Sequence, residues 1–187
     1  MNLPGPQHLG FAYLASELLL TISRRSTRDG VRQDRGTLRV LWIVIVGSVV
    51  AGIYLATHFH TGALPHPVEL RGAALTVFVL GIAIRWWAII TLGRFFTVDV
   101  QISNDHQLVE RGPFRVVRHP SYTGLLVAFL GFALSLANWI ALLIVMLPIF
   151  AALIWRIRVE EQALSNALGA TYESYVRRTK RLLPAIY

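Results

Sequence analysis

The stretch Gly112-Pro113-Phe114-Arg115-Val116-Val117-Arg118-His119-Pro120-Ser121-Tyr122-Thr123-Gly124 holds the densest run of residues that could do chemistry in this 187-residue chain. Gly-Pro makes a turn, Pro120 disfavours helix at His119, and Ser121 is expected to cap the apolar helix that follows. A helix N-terminus offers free amide groups and the positive end of the backbone dipole, so it holds anions. His119 adds a ring that donates, accepts or carries a proton near neutrality. Together these residues predict a pocket rim for an anionic or zwitterionic ligand. Further along, Arg156 and Glu160 lie four residues apart and project from one helix face, where they can pair or jointly line a pocket. A surface pair at that spacing contributes only about 0.3–0.5 kcal/mol, a weak reason to place charges at the end of an apolar segment. Arg85 sits deeper, followed by Trp86 and Trp87. A lone arginine within a membrane span costs at least about 2.5 kcal/mol. Arg85 is therefore expected to face the bundle interior or a polar cavity, either as a packing group bonded to backbone carbonyls or as a functional one.

The elements that must position these groups are membrane helices. Of the residues, 55% are hydrophobic and only 15% charged, and the mean hydropathy is +0.54, a composition unlike that of soluble domains. A span takes roughly 20 mainly apolar residues. Such windows run about Val40–Thr57, Ala73–Leu92, Tyr122–Ala137 and Trp139–Ile157; a first segment, about Leu3–Ile22, is interrupted by Gln7, His8 and Glu17. The expectation is an all-α polytopic protein of about five transmembrane helices followed by a C-terminal cytoplasmic helix. No Lys or Arg precedes Arg24, so the first segment lacks the basic start of a cleaved signal peptide; a helix lying in the interface is the other reading. Sixteen of the 18 basic residues fall on one side of such an arrangement, in the segments Arg24–Arg39, Arg94–Arg118 and Arg156–Arg181, and only Arg71 falls in the opposite loops. Short basic loops stay in the cytoplasm, which predicts an external N-terminus and a cytoplasmic C-terminus.

That topology also accounts for the net charge of +8, since basic residues beside spans meet anionic headgroups, and nucleic-acid binding is not expected. The chain has no cysteine, which removes disulfides, thiolate nucleophiles and cysteine-ligated metals. His58, His60 and His66 share a loop with Pro65 and Pro67 and have only Glu69 as a nearby acid. An exposed turn is the favoured reading there, and no metal is expected. Gly47, Ser48, Ala51 and Gly52 in the second span would let a neighbouring helix approach closely, with the first or third span as expected partner. Spans four and five meet at Asn138 as a tight hairpin, and Pro148 predicts a kink. Beyond Ile157 the pattern turns amphipathic, with Gly169 interrupting it and Pro184 ending it. The chain reads as a single membrane domain, residues 1–187. Within it residues 1–93 form a three-span scaffold and residues 94–187 the half that carries the chemistry.

Arg118-His119-Pro120-Ser121-Tyr122-x-Gly124, a short helical hairpin, Arg156-x-x-x-Glu160-Glu161, Gly169-x-x-Tyr172-x-x-Tyr175 and a terminal Arg181-Leu182-Leu183-Pro184 resemble, in order and spacing, the isoprenylcysteine carboxyl methyltransferase family. The compact chain looks like a prokaryotic-type member in a bacterial or archaeal cytoplasmic membrane. The resemblance implies S-adenosylmethionine as cofactor, held in a cytoplasm-facing pocket of the C-terminal half, and a lipophilic or lipidated substrate entering from the bilayer. It implies cofactor contacts from Gln101, His106, Gln107, Leu108, Val109, Phe114, His119, Pro120, Ser121, Tyr122 and Glu160. Phe114 stands where many relatives have tyrosine. Arg156 resembles the arginine that positions a substrate carboxylate, and it is placed with Glu160 as catalytic and with Arg85 and Trp86 as substrate-binding.

Methyl transfer from a sulfonium is an in-line displacement whose main demands are alignment and exclusion of water. An ionised acceptor needs no general base; for an amine or thiol, Glu160 or His119 could take the proton. None of the 14 glycines forms G-x-G-x-x-G, which disfavours a soluble dinucleotide-type fold. Two alternatives stand beside this reading. One is an NADPH-dependent membrane reductase of sterol-reductase type, against which Glu160 argues because a carboxylate repels nucleotide phosphates. The other is a small transporter or assembly factor, which has no need of both the Arg118–Gly124 and Arg156–Glu161 constellations.

Overall fold

A computed structural model describes residues 3–23, 31–32, 36–65, 67–93, 101–102 and 108–184. Among them the secondary structure is helical: α1 (Pro6–Ser23), α2 (Thr37–His58), α3 (Pro67–Leu92), α4 (Pro120–Ser135), α5 (Trp139–Leu168) and α6 (Ala170–Arg178), with a 3₁₀ turn at Gly112–Arg115. One antiparallel ladder of two residues per strand, β1 (Val31–Arg32) and β2 (Gln101–Ile102), joins the two long connections by pairing Val31 with Ile102 and Arg32 with Gln101.

Apolar side chains lie on both the inside and the outside of this bundle, as expected where hydrocarbon replaces water around the protein. The core joins Leu9 and Tyr13 of α1, Leu41 and Ile45 of α2, Phe78 of α3, Phe129 and Phe132 of α4, and Val145 and Leu153 of α5. Phe11, Ile43, Trp87, Ile90 and Leu147 point outward, each more than half exposed. Three helices are long and apolar enough to cross a bilayer: Thr37–His58, Glu69–Leu92 and Trp139–Leu168. The other two expected spans correspond to α1 and to α4, a shorter apolar helix of 16 residues that rises about 24 Å.

Helix ends sort into two opposite faces. At one, the loop after α2 meets the α4–α5 turn: Leu64 N donates to Ala137 O (2.7 Å) and Trp139 N to Gly62 O (2.9 Å). Asn138 closes the hairpin expected there. Its side-chain oxygen caps α5 by accepting from Ile140 N and Ala141 N, both at 3.0 Å, while its amide donates to Thr61 O. His58 lies in this region stacked on Tyr54, with ring centroids 4.4 Å apart. The opposite face gathers the start of α2, the end of α3, the start of α4 and the far part of α5, and with them the charged constellation.

Close backbone packing holds α3 against α4. A Cβ on Gly81 would fall 2.2 Å from Ala128 N, one on Gly131 2.4 Å from Phe78 N, and one on Gly124 2.4 Å from Arg85 N. Of the small residues of α2, Gly52 serves the same purpose but toward α5, since a Cβ there would fall 2.6 Å from Val145 Cγ2. This corrects the expected partner: a run of small residues marks a face for close approach and carries no information about which helix fills it. Gly124→Ala is expected to push α3 from α4 and destabilise the protein by about 1–3 kcal/mol. Gly47→Ala, where a Cβ meets nothing within 4 Å, should leave the melting temperature unchanged or raise it. Thermal unfolding of the two variants in detergent separates these outcomes.

Candidate functional site

His119, rather than Ser121, is the N-cap of α4, with Pro120 in the first helical turn. Proline is favoured at that position, because its missing N–H has no intrahelical acceptor there and its ring presets the helical φ. The residue before it is pushed out of helical conformation, and His119 accordingly has φ −123° and ψ 56°. Ser121 thereby falls within the first turn of the helix, two positions after the cap. His119 is buried, its carbonyl accepts from Tyr122 N and Thr123 N, and its ring lies nearly parallel to that of Tyr122 with centroids 5.6 Å apart.

From α5, Arg156 and Glu160 reach the same point on α4. The Tyr122 hydroxyl accepts from Arg156 Nε at 2.9 Å and donates to Glu160 Oε2 at 2.8 Å. The two charged groups four residues apart are therefore joined through a phenol, with the direction of both hydrogen bonds fixed because a guanidinium only donates and a carboxylate only accepts. Arg156 is 3% exposed, and its Nη1 also donates to Thr37 Oγ1 of α2 at 3.0 Å.

Glu161, one residue on and so about 100° around the helix, faces elsewhere. It accepts from Arg118 Nε (2.8 Å) and Arg181 Nε (2.9 Å), and His119 Nε2 lies 3.4 Å away. This ion cluster fastens the segment after α6 to the segment before α4. Backbone bonds reinforce it: Arg118 N donates to Lys180 O, His119 N to Arg181 O and Lys180 N to Val116 O. Thr123 Oγ1 donates to Leu182 O at 2.7 Å. Tyr175 of α6 donates its hydroxyl to Phe114 O at 2.7 Å; burial pushes this phenol up to about 12, with Glu110 adding to the shift, so it remains a donor at physiological pH. Phe114 is buried beneath that bond, 8% exposed. An open cleft of about 510 Å³ between α5 and α6 is lined by Arg158, Glu161, Tyr172 and Arg177 and lies on the Glu161 side of α5, apart from the Arg156–Tyr122–Glu160 chain.

Arg85 lies next to this site rather than in it. Its Nε and Nη2 form a two-pronged ion pair with Glu17 of α1 at 2.7 and 2.9 Å, and Nη1 donates to Ser121 O at 3.3 Å. Trp86 Nε1 donates to Ser16 Oγ at 2.8 Å. Both residues thus bind α1 to α3, and Arg85 touches the residue preceding Tyr122. Leu108 and Val109 are half-buried ahead of the 3₁₀ turn, and Gln101 is placed by its pairing with Arg32. His106 and Gln107 lie outside the described residues, as do His66 and most of the basic Arg24–Arg35 segment. No group of three or more metal-ligating side chains occurs among the described residues.

Sequence reasoning missed Thr37, Glu17 and the roles of Arg118 and Arg181. Glu17 carried a usable signal: two opposite charges in two apolar helices each have strong reason to find the other. Thr37 carried none, being an ordinary threonine at a helix start.

An apolar helical bundle with lipid-facing side chains and a polar constellation gathered at one end is the architecture of an integral membrane protein. Its sequence points further: the profile of the isoprenylcysteine carboxyl methyltransferase (ICMT) family matches residues 74–166, which span α3 through most of α5 and include Arg118–Gly124 and Arg156–Glu161. The chain is similar to that family over those residues. The chain is 35% identical over 119 residues to protein-S-isoprenylcysteine O-methyltransferase B of Arabidopsis thaliana, which covers 60% of this chain and 58% of the relative. It is 33% identical over 116 residues to protein-S-isoprenylcysteine O-methyltransferase of Schizosaccharomyces pombe, covering 61% and 49% respectively. It thus spans between about half and three fifths of these relatives' lengths. Its fold matches that of the eukaryotic intramembrane Ras methyltransferase ICMT with a TM-score of 0.66 at 23% identity, over 98% of this chain and 68% of that one.

Proposed function

We propose that this protein is an S-adenosylmethionine-dependent carboxyl methyltransferase that esterifies a lipophilic, isoprenylcysteine-like carboxylate at the cytoplasmic face of its membrane. The observation that carries the reading is the Arg156–Tyr122–Glu160 chain, built inside the stretch that matches the family. The donor set suits a sulfonium cofactor. Glu160 presents a partly exposed carboxylate with one oxygen steadied by Tyr122, and the aromatic rings of Tyr122 and His119 stack beside it; carboxylates and aromatic faces both favour a cation. In this reading Leu108, Val109, Phe114, His119, Pro120 and Ser121 form the rest of the cofactor wall, Gln101, His106 and Gln107 are the further cofactor contacts that the family resemblance implies, and Arg85 and Trp86 border the substrate side.

Bound there, S-adenosylmethionine supplies an electrophilic methyl group. Arg156 holds the acceptor carboxylate, whose ionised oxygen needs no general base, and the buried setting of α4 and α5 excludes competing water. Five spans, with the N-terminus outside and the C-terminus in the cytoplasm, place the site on the side where the basic residues gather. The division into a scaffold of residues 1–93 and a chemical half of residues 94–187 is one of emphasis, since Glu17 and Thr37 reach across it.

Calorimetric titration of detergent-purified protein with S-adenosylmethionine and, separately, NADPH tests the reading. Saturable binding of the sulfonium is expected, weakened about tenfold or more in Glu160→Gln by loss of a charged acceptor, with little change in melting temperature. Binding of NADPH in its place would turn the assignment toward a reductase, and binding of neither would remove the enzyme reading.

A further inference from the structure

We infer that Thr37 is a positioning residue for Arg156, setting the plane of the guanidinium that receives the substrate carboxylate; the inference rests on the function proposed above. Thr37 opens α2, has no solvent exposure, and stands 119 positions from Arg156 in sequence. Its Oγ1 accepts from Nη1 at 3.0 Å, while Tyr122 of α4 accepts from Nε at 2.9 Å. A guanidinium is a rigid planar fork on a flexible stem. Holding two of its nitrogens from two different helices removes rotations that the stem would otherwise allow, so the plane of the fork is set before substrate arrives. Such preorganisation is what alignment of an in-line displacement requires.

The chemistry of the anchor matters as much as its place. A hydroxyl accepts an N–H without neutralising the cation, whereas a carboxylate at position 37 would compete with the incoming one for the same charge. The start of α2 follows Gly36, whose φ of +80° suits glycine, and it lies on the connection whose Val31–Arg32 strand pairs with Gln101–Ile102. The anchor therefore comes from the half of the chain outside the cofactor-binding segments, and its loss should disturb the acceptor side of the reaction without disturbing the donor side.

The test compares Thr37→Val and Thr37→Ser with the unaltered protein in detergent. The affinity for a prenyl-thioether carboxylic acid is read against that for its methyl ester, alongside turnover and S-adenosylmethionine affinity. Thr37→Val should lose about tenfold or more of the preference for acid over ester, the effect of losing one hydrogen bond to a charged group, with a parallel fall in kcat/KM and unchanged cofactor affinity. Thr37→Ser should restore the preference to within about twofold, because it returns the acceptor oxygen. A Thr37→Val protein that melts lower yet keeps the full preference for the acid would overturn the inference and leave a purely structural threonine. An unaltered protein that neither binds the sulfonium nor prefers the acid would overturn the proposed function, and this inference with it.

Discussion

Arg156→Ala is expected to lower methyl transfer by about 30- to 1000-fold while S-adenosylmethionine affinity stays within about threefold. The range corresponds to about 2–4 kcal/mol, the loss on removing one member of a buried charge-assisted contact to a carboxylate. Truncation also leaves Tyr122 and Thr37 without the donor they accept from, so part of the loss would arise from local repacking. Arg156→Lys isolates the chemistry: it keeps the charge but replaces the planar fork by a point charge. It should remain folded and still lose most of the turnover. Single-turnover transfer of labelled methyl, measured with cofactor binding on the same samples, gives the comparison. Turnover surviving in both variants would remove the carboxylate clamp from the account.

Glu17→Leu should destabilise the protein by about 3–5 kcal/mol, because it strands a guanidinium inside the bundle. Arg85 is 7% exposed and is held by both oxygens of that carboxylate. The double substitution Glu17→Leu with Arg85→Leu removes the stranded charge together with its partner, and should recover much of the loss, since apolar replacement of a buried pair is often neutral. Arg85 also donates to Ser121 O beside Tyr122, so the double variant should melt near the original temperature yet turn over more slowly. Thermal unfolding of the two single variants and the double variant in one detergent yields the coupling. Losses that simply add would show that the pair contributes nothing as a pair.

How far the sequence could be read depended on whether a property was local. Hydrophobic length announced the helices, and Asn138 and Pro120 announced the hairpin and the start of α4, because caps and proline act within a few residues of themselves. Arg156 and Glu160 were legible as one helix face for the same reason. The link between them was not, since the Tyr122 hydroxyl arrives from another helix, and nothing in the spacing of α5 indicates what stands opposite. Glu161 adjoins Glu160 yet engages Arg118 and Arg181, a difference set by one residue's rotation around the helix. Helix partnership was the least legible feature. Gly52 marked a close approach without saying that Val145 would fill it, and nothing in the spacing of Gly124 and Gly131, two turns apart on α4, said that Gly81 and Phe78 of α3 would lie against them.

The most direct measurement is the fate of a labelled methyl group. Purified protein in lipid nanodiscs is given S-adenosyl[methyl-¹⁴C]methionine and an S-prenylated cysteine with a free carboxylate, and the product is treated with base. Label is expected in the lipophilic fraction that mild base releases as volatile methanol, as a methyl ester requires, and no such label when the carboxylate is supplied already amidated. Label that resists base, or appears equally with the amide, would contradict carboxylate methylation.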